Sequence, residues 1–182
     1  MGKIEIDARQ KDILVDNPLF LDGLSRTGKM FIGRIISALK NIEHIQYLPI
    51  LEQIPYLYRL NAINKAAALA LMRVSLDNFV YDFSIGRNFN LRPGDTTSVW
   101  SSTQPQKYLN KSFNNCGNAA LQQIKKKNTR YLFAIHEVFP DIGLCLEAFP
   151  KAQVIHVVRH PVDIINSWYA RGWPSRIGKD PL

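Results

Sequence analysis

The apolar residues of this chain form short runs that alternate with longer stretches of helical spacing. The short runs, which are rich in large aliphatic, aromatic and β-branched residues, predict buried strands at 18–21, 130–135 and 154–158. The helical spacing predicts helices at about 29–39, 60–83, 116–127, 142–149 and 164–170. This alternation predicts an α/β fold in which a parallel sheet carries helices on both faces.

Two segments do not follow this alternation. The apolar segment Ile42–Leu51 has a pattern that fits either a strand or a helix. The segment Ser84–Asn115 is polar and is interrupted by glycine and proline residues. Because long loops inside compact domains are often functional, we interpret the second segment as a lid or an acceptor-binding region.

The composition is consistent with one folded domain that binds anions. A chain of 182 residues with 46% hydrophobic content can bury its own core. The net charge of +8 favours anionic ligands, although Lys125–Lys127 is typical of a solvated basic face. The chain has no aromatic-interleaved basic stretch and no known nucleic-acid motif, so nucleic acid is not predicted as a partner.

The N-terminal and cysteine patterns predict a cytoplasmic protein. Met1–Asp7 contains charges where a signal peptide needs an apolar run. No apolar segment approaches the roughly 20 residues that are needed to cross a bilayer, so no membrane partner is predicted. Cys116 and Cys145 lack metal-ligand spacing, and we interpret them as thiols in a reducing compartment, with a single disulfide as the alternative.

A loop bounded by glycines joins the first predicted strand to the first predicted helix. The spacing Gly23-x4-Gly28-Lys29 is that of a phosphate-binding P-loop, where free backbone N–H groups and the helix dipole bind an anion. Met30 stands where nucleotide triphosphatases carry the hydroxyl that ligates Mg²⁺. Because a thioether is a poor ligand for a hard cation, the loop predicts a phosphate-containing ligand that is bound without a metal.

A second motif follows the last predicted strand. Arg159 comes at the carboxyl end of that strand, which is the edge where open α/β sheets bind ligands. Pro161 suits the first turn of the next helix, and Ser167 lies further along it. An arginine and a hydroxyl together suit a dianionic phosphate. The alternative for Arg159 is a surface ion pair with Asp163.

Together the two motifs resemble the sulfotransferases that use 3′-phosphoadenosine 5′-phosphosulfate (PAPS) as donor. In that family a loop reading roughly [Lys/Arg]-Ser-Gly-Thr-Thr binds the 5′-phosphosulfate, and Arg26-Thr27-Gly28-Lys29-Met30 occupies those positions after Ser25. Lys29 and Met30 replace two hydroxyl residues of the pattern. The family's second signature, roughly Arg-[Asn/Asp/His]-Pro-x-Asp-x-x-x-Ser, binds the 3′-phosphate, and residues 159–167 match every fixed position.

The resemblance, which spans about residues 17–180, implies a P-loop NTPase-like fold with three layers. It implies one sulfotransferase-like domain over residues 1–182, PAPS as co-substrate and an unidentified hydroxyl or amine acceptor. The donor-binding residues that it implies are Ser25, Arg26, Thr27, Gly28, Lys29, Met30, Arg159 and Ser167. Family members continue past the second motif with a loop that closes over the nucleotide. We therefore expect a domain that is incomplete at its C-terminal end, where Gly172, Pro174 and Gly178 predict an irregular tail, and that binds its nucleotide weakly.

The chemistry of sulfuryl transfer indicates which residues are catalytic. Negative charge builds on the bridging oxygen of the leaving phosphate, so a cation is needed there. Arg26 aligns with the family's catalytic basic residue, and Lys29 is close enough in sequence to share the task. An acceptor hydroxyl also benefits from a general base. His136, at the end of a predicted strand, is the first candidate, followed by its neighbour Glu137 and by Glu52 after the first helix.

Two other functions remain open at this point. A P-loop kinase or other phosphoryl transferase needs an acidic Mg²⁺ ligand at the end of a strand, and Glu137 comes near that position. A nucleotide-binding module without catalytic activity is the third possibility. A requirement for Mg²⁺ would distinguish the phosphoryl transferase from the sulfotransferase. A lack of turnover would distinguish the nucleotide-binding module from both enzymes.

Overall fold

A computed structural model of the protein describes residues 13–114 and 116–173. The strands in this part of the chain are β1 (Leu19–Asp22), β2 (Gln46–Tyr47), β3 (Leu132–Ala134) and β4 (Gln153–His156). They form one sheet in the order β2-β3-β1-β4, and every neighbouring pair is parallel. The segment Met1–Asp7 and the tail predicted from Pro174 onward lie outside the described residues.

The predicted helices are present with small shifts of their ends. The helices are α1 (Lys29–Ser37), α2 (Ile50–Arg59), α3 (Lys65–Ser84), α4 (Pro105–Leu109), α5 (Asn118–Lys127), α6 (Ile142–Ala148) and α7 (Pro161–Tyr169). Single 3₁₀ turns lie at Val99–Ser101, Asn110–Phe113 and Phe139–Asp141. The ambiguous segment 42–51 contains β2 and the start of α2. Helix α3 begins at Lys65 rather than near Leu60, because the Asn64 side chain caps it by accepting the Ala67 N–H at 2.8 Å.

Side chains of the central strands alternate between two buried clusters. Phe20 and Phe133 point into the larger cluster, which also contains residues of α2, α3 and α6. Leu21 and Ala134 point to the opposite face, where the aliphatic side chains of α1 cover the sheet. The central strands β1 and β3 are buried on both faces, which confirms the predicted α/β architecture with three layers.

The register of the strands brings three functional segments to one edge of the sheet. Asp22 pairs with His156 in the β1–β4 ladder, and Leu21 pairs with Ala134 in the β1–β3 ladder. Because the strands are parallel and end side by side, the residues that follow them emerge together. The loop after Asp22, the segment after β3 and the segment after β4 therefore become neighbours.

Two buried residues anchor the long excursion between α3 and α5 to the core. The Tyr108 hydroxyl accepts the backbone N–H of His44 at 2.9 Å, and Lys111 forms an ion pair with Glu43 at 3.1 Å. Burial lowers the pKa of the Lys111 ammonium to about 8, although Glu43 acts against that shift. The part of the predicted lid around residues 108–111 is therefore fixed against the segment that leads into β2.

No helix among the described residues combines the length and the hydropathy that are needed to span a membrane.

Candidate functional site

Glycine residues shape both ends of the loop between β1 and α1. Gly23 has φ 150°, and a Cβ atom there would lie 2.6 Å from the backbone oxygen of Val157. Gly28 has φ 92° and is the residue that precedes the first turn of α1. Between them, the Thr27 hydroxyl donates to the backbone oxygen of Leu24 at 2.9 Å and closes the turn. The loop therefore leads into the N-terminus of a helix, where backbone N–H groups without helical partners bind anions.

A cavity of about 310 Å³ lies over this loop. Its lining comes from the loop, from the segment after β3, from the segment after β4 and from the residue at the end of the described chain. The lining residues are Ser25, Arg26, Gly28, Lys29, Met30, His136, Arg159 and Trp173. The volume is within the range of sites that bind small molecules.

The two sequence motifs contact each other at this cavity. The Arg26 Nε donates to the Ser167 hydroxyl at 2.9 Å, and an Arg159 guanidinium N–H donates to the backbone oxygen of Arg26 at 3.1 Å. Arg159 also lies 4.0 Å from an oxygen of Asp163, and both side chains are largely exposed. The predicted surface pair thus exists at long range, but Arg159 also bonds to the P-loop backbone.

Lys29 is buried at the base of the cavity and has a perturbed pKa. Its ammonium donates to the backbone oxygens of Gly23 and Leu24, and only 3% of the residue is exposed. Burial lowers the pKa of Lys29 to about 8. Nearby carboxylates act in the opposite direction, namely those of Asp22, Glu52 and Glu137. The charge of Lys29 therefore changes near physiological pH.

His136 and Glu52 form a hydrogen-bonded pair beside the cavity. One carboxylate oxygen of Glu52, which lies on α2, accepts the His136 backbone N–H at 2.7 Å and lies 2.7 Å from its ring Nδ1. The Tyr47 hydroxyl donates to the other oxygen at 3.1 Å, and the Tyr47 ring contacts the imidazole edge-on. A carboxylate at Nδ1 selects the tautomer in which Nε2 is the acceptor, which is the form that a general base requires.

The comparison with protein families agrees with this geometry. A model of the sulfotransferase family matches residues 18–175. The chain belongs to the sulfotransferase family. The match includes both motifs and the segment that carries His136, and it makes the protein a transferase whose general chemistry is sulfuryl transfer. A comparison with curated proteins and one with solved structures both returned no match.

Some of the predicted residues of this sulfotransferase domain lie outside the cavity lining. Thr27 is buried and stabilises the turn of the loop, and Ser167 is connected to the cavity through Arg26. Glu137 is exposed and has a left-handed backbone with φ 60°. The roles assigned to these residues stay predictions.

Two residues at the site were not predicted from the sequence. Tyr47 lies on the short strand β2 and contacts the His136–Glu52 pair. Asp22, the last residue of β1, is completely buried and accepts the Val138 backbone N–H at 3.1 Å. The available signal for Asp22 was a carboxylate that ends an apolar strand directly before the P-loop.

The described part of the sulfotransferase domain brings no three His, Cys, Asp or Glu side chains together as metal ligands. Within the same residues Cys116 is exposed, Cys145 is buried in α6, and both are free thiols.

Proposed function

We propose that this domain transfers a sulfuryl group from PAPS to a hydroxyl or amine acceptor. The observation that carries the proposal is a single cavity that Arg26, Lys29, Arg159 and His136 line together. Three of these side chains can carry positive charge for a donor with phosphate and sulfate groups. The fourth is a histidine that a carboxylate orients for proton transfer.

The positions of the cations support an assignment of the two ends of the donor. The P-loop and the start of α1 suit the 5′-phosphosulfate, because helix N-termini bind anions. Arg159 and Ser167 suit the 3′-phosphate, to which a guanidinium and a hydroxyl can both donate. The thioether of Met30 cannot replace a hydroxyl as a Mg²⁺ ligand, so in this proposal the cationic side chains neutralise the phosphates.

The reaction follows from this arrangement. The acceptor oxygen or nitrogen forms a bond to sulfur while the bond from sulfur to the bridging phosphate oxygen breaks. His136 Nε2 takes the acceptor proton, and Glu52 stabilises the imidazolium that results. Arg26 and Lys29 stabilise the negative charge that develops on the bridging oxygen. The products are the sulfated acceptor and adenosine 3′,5′-bisphosphate, and the proton on His136 then passes to solvent.

Calorimetric titrations test this function directly. Adenosine 3′,5′-bisphosphate and ATP are each titrated with and without Mg²⁺, and turnover of PAPS is then measured with 2-naphthol and 2-naphthylamine. We expect the bisphosphate to bind equally well in EDTA and to be released during turnover. Binding of ATP alone, with a requirement for Mg²⁺, would instead identify a phosphoryl transferase. Binding of the bisphosphate without turnover of any acceptor would identify a nucleotide-binding module.

Adenosine 3′,5′-bisphosphate is expected to bind more tightly than AMP, because only the bisphosphate carries a group for Arg159 and Ser167. Replacing Arg159 with alanine should cost about 2 kcal/mol, or roughly 30-fold in Kd, if a charge-assisted contact is lost. The affinity for AMP should change little. The exposed Arg92 provides a control, since Arg92→Ala removes the same charge from the excursion. Equal affinities of the wild type for AMP and the bisphosphate contradict the assignment.

The affinity for the bisphosphate is expected to fall as the pH rises through about 8. Below that pH the Lys29 ammonium is charged and attracts phosphate, whereas above it the amine is neutral. The ligand does not cause a decrease, because its phosphates, whose second pKa is about 6, only gain negative charge as the pH rises. Calorimetry between about pH 6.5 and about pH 9.5, on both sides of that pKa, should show the decrease in affinity for the wild type and not for Lys29→Met. A decrease of equal size in both proteins would assign it to another group.

A further inference from the structure

We propose that Asp22 is a positioning residue that holds His136 and Arg159 in place relative to the P-loop. Its effect on turnover rests on the proposed function, whereas its effect on the geometry of the site does not. Asp22 is the last residue of β1, is completely buried and directly precedes Gly23 in the sequence. A buried carboxylate is costly unless its partners compensate for the lost hydration, so its contacts require an explanation.

The contacts of Asp22 join the ends of three strands. One of its oxygens accepts the Val138 backbone N–H at 3.1 Å, in the segment that follows β3. The other oxygen lies 2.7 Å from Nδ1 of His156, the last residue of β4. The carboxylate thus connects β1 to the segment that carries His136 and to the strand that leads into Arg159.

The segment after β3 needs such an anchor because its backbone is strained. Glu137 has φ 60°, a left-handed conformation that is unfavourable for a residue with a side chain and persists only where the surroundings impose it. The amides on both sides of Glu137 are bound by carboxylates. Glu52 accepts the N–H of His136 and Asp22 accepts the N–H of Val138. Together they hold the turn that presents the His136 imidazole to the cavity.

The contact with His156 holds the carboxyl end of β4. This strand pairs with β1 on one side and is the exposed edge of the described sheet. The Phe139 ring packs against His156 at 4.4 Å between centroids, so the imidazole is held between Asp22 and the turn after β3. Arg159, three residues further along, then reaches the backbone oxygen of Arg26.

The charge of Asp22 also acts on the cation of the loop. Lys29 is buried nearby, and Asp22 is the foremost of the carboxylates that favour its charged form, ahead of Glu52 and Glu137. Removing the Asp22 charge should therefore lower the pH at which Lys29 loses its proton. A residue that served only to fill space would not have this effect.

The test compares Asp22 with a second buried aspartate. Asp77 on α3 is also buried and accepts the backbone N–H groups of Leu14 and Val15, but it contacts neither the segment after β3 nor the end of β4. The variants Asp22→Ala, Asp22→Asn, Asp77→Ala and Asp77→Asn are prepared. Amide hydrogen exchange of residues 136–138 and 156–159 is measured by mass spectrometry without nucleotide. The pH dependence of bisphosphate binding and kcat with PAPS and 2-naphthol are measured in addition.

We expect the Asp22 variants alone to change the site. Asp22→Ala should speed exchange in both segments and lower kcat by about 100-fold, the loss that a displacement of about 1 Å can cause. Asp22→Asn keeps an acceptor for Val138, so it should restore slow exchange at 136–138, whereas its neutral amide does not hold His156 by charge, so exchange at 156–159 should remain faster than in the wild type. It should also move the alkaline decrease in bisphosphate affinity to lower pH. The Asp77 variants should lose stability without any of these changes.

One result overturns the inference, and it is separate from a failure of the proposed function. That result is equal exchange in the Asp22→Ala and Asp77→Ala proteins or, if Asp22→Ala does not fold, in the two asparagine variants, and it needs no ligand to observe. If the wild type binds no bisphosphate, the proposed function fails while the exchange measurement still decides whether Asp22 holds these segments.

Discussion

Replacing His136 with alanine is expected to lower kcat by a factor of about 10²–10⁴ and to leave the affinity for adenosine 3′,5′-bisphosphate nearly unchanged. The imidazole is the group at the cavity that Glu52 orients for accepting a proton. In the proposed function, binding of the donor depends instead on the cations of the two motifs. The measurement is single-turnover sulfuryl transfer from PAPS to 2-naphthol, with calorimetry for the affinity.

Variants around His136 make this prediction specific. Glu52→Gln keeps an oxygen for the His136 amide but cannot stabilise an imidazolium by charge, so its kcat should fall to an intermediate value. Tyr47→Phe removes only the hydroxyl that donates to Glu52, and its effect should be the smallest of the three. A full loss of turnover in Glu137→Gln, together with an active His136→Ala protein, would move the base to Glu137.

Most of the fold could be predicted because the local sequence of most elements shows their type. The strands β1 and β3 are apolar runs buried on both faces, and α1 follows a loop whose glycines mark its start. The segment 42–51 could not be resolved, because β2 contains only Gln46 and Tyr47 and two residues have no measurable periodicity. Its pairing with β3 is a tertiary property that the local pattern does not contain.

The two motifs of the site could also be predicted, since each is continuous in sequence. The pairing of His136 with Glu52 could not, because it depends on how α2 lies against the end of β3. From the sequence, His136 and Glu52 were alternative candidates for the general base, whereas the structure places them in one hydrogen-bonded pair. The contacts of Asp22 could not be predicted for a similar reason, since its partners Val138 and His156 become neighbours only through the strand register.

The orientation of Lys29 adds a feature that its motif does not specify. The motif predicts a lysine that reaches the ligand, but in this structure the ammonium donates to two carbonyl oxygens of its own loop. A phosphate oxygen is a stronger acceptor than a neutral carbonyl, because its bond to the ammonium is assisted by charge. Ligand binding can therefore redirect Lys29 without any rearrangement of the fold. Lys29→Ala is accordingly expected to weaken nucleotide binding itself.

Replacing Arg26 with alanine is expected to lower kcat by about 10²–10³, which is the effect of removing one group that stabilises developing negative charge. Its affinity for the bisphosphate should fall much less, because that charge develops only in the transition state. Some loss of affinity is still expected, because Arg26 also donates to the Ser167 hydroxyl and its removal frees that side chain. Arg26→Lys keeps the charge but not the bond from Nε, so it separates the two contributions.

The comparison of Arg26→Ala with Lys29→Ala decides which cation acts at the bridging oxygen. Both residues line the cavity, but Arg26 has a left-handed backbone at the bend of the loop, whereas Lys29 lies at the buried start of α1. We expect Arg26→Ala to reduce kcat and Lys29→Ala to raise the Kd of the bisphosphate. Full turnover of the Arg26→Ala protein, with a loss of kcat in Lys29→Ala, would assign the transition-state charge to Lys29. The Arg26 guanidinium would then serve to join the P-loop to α7 through Ser167.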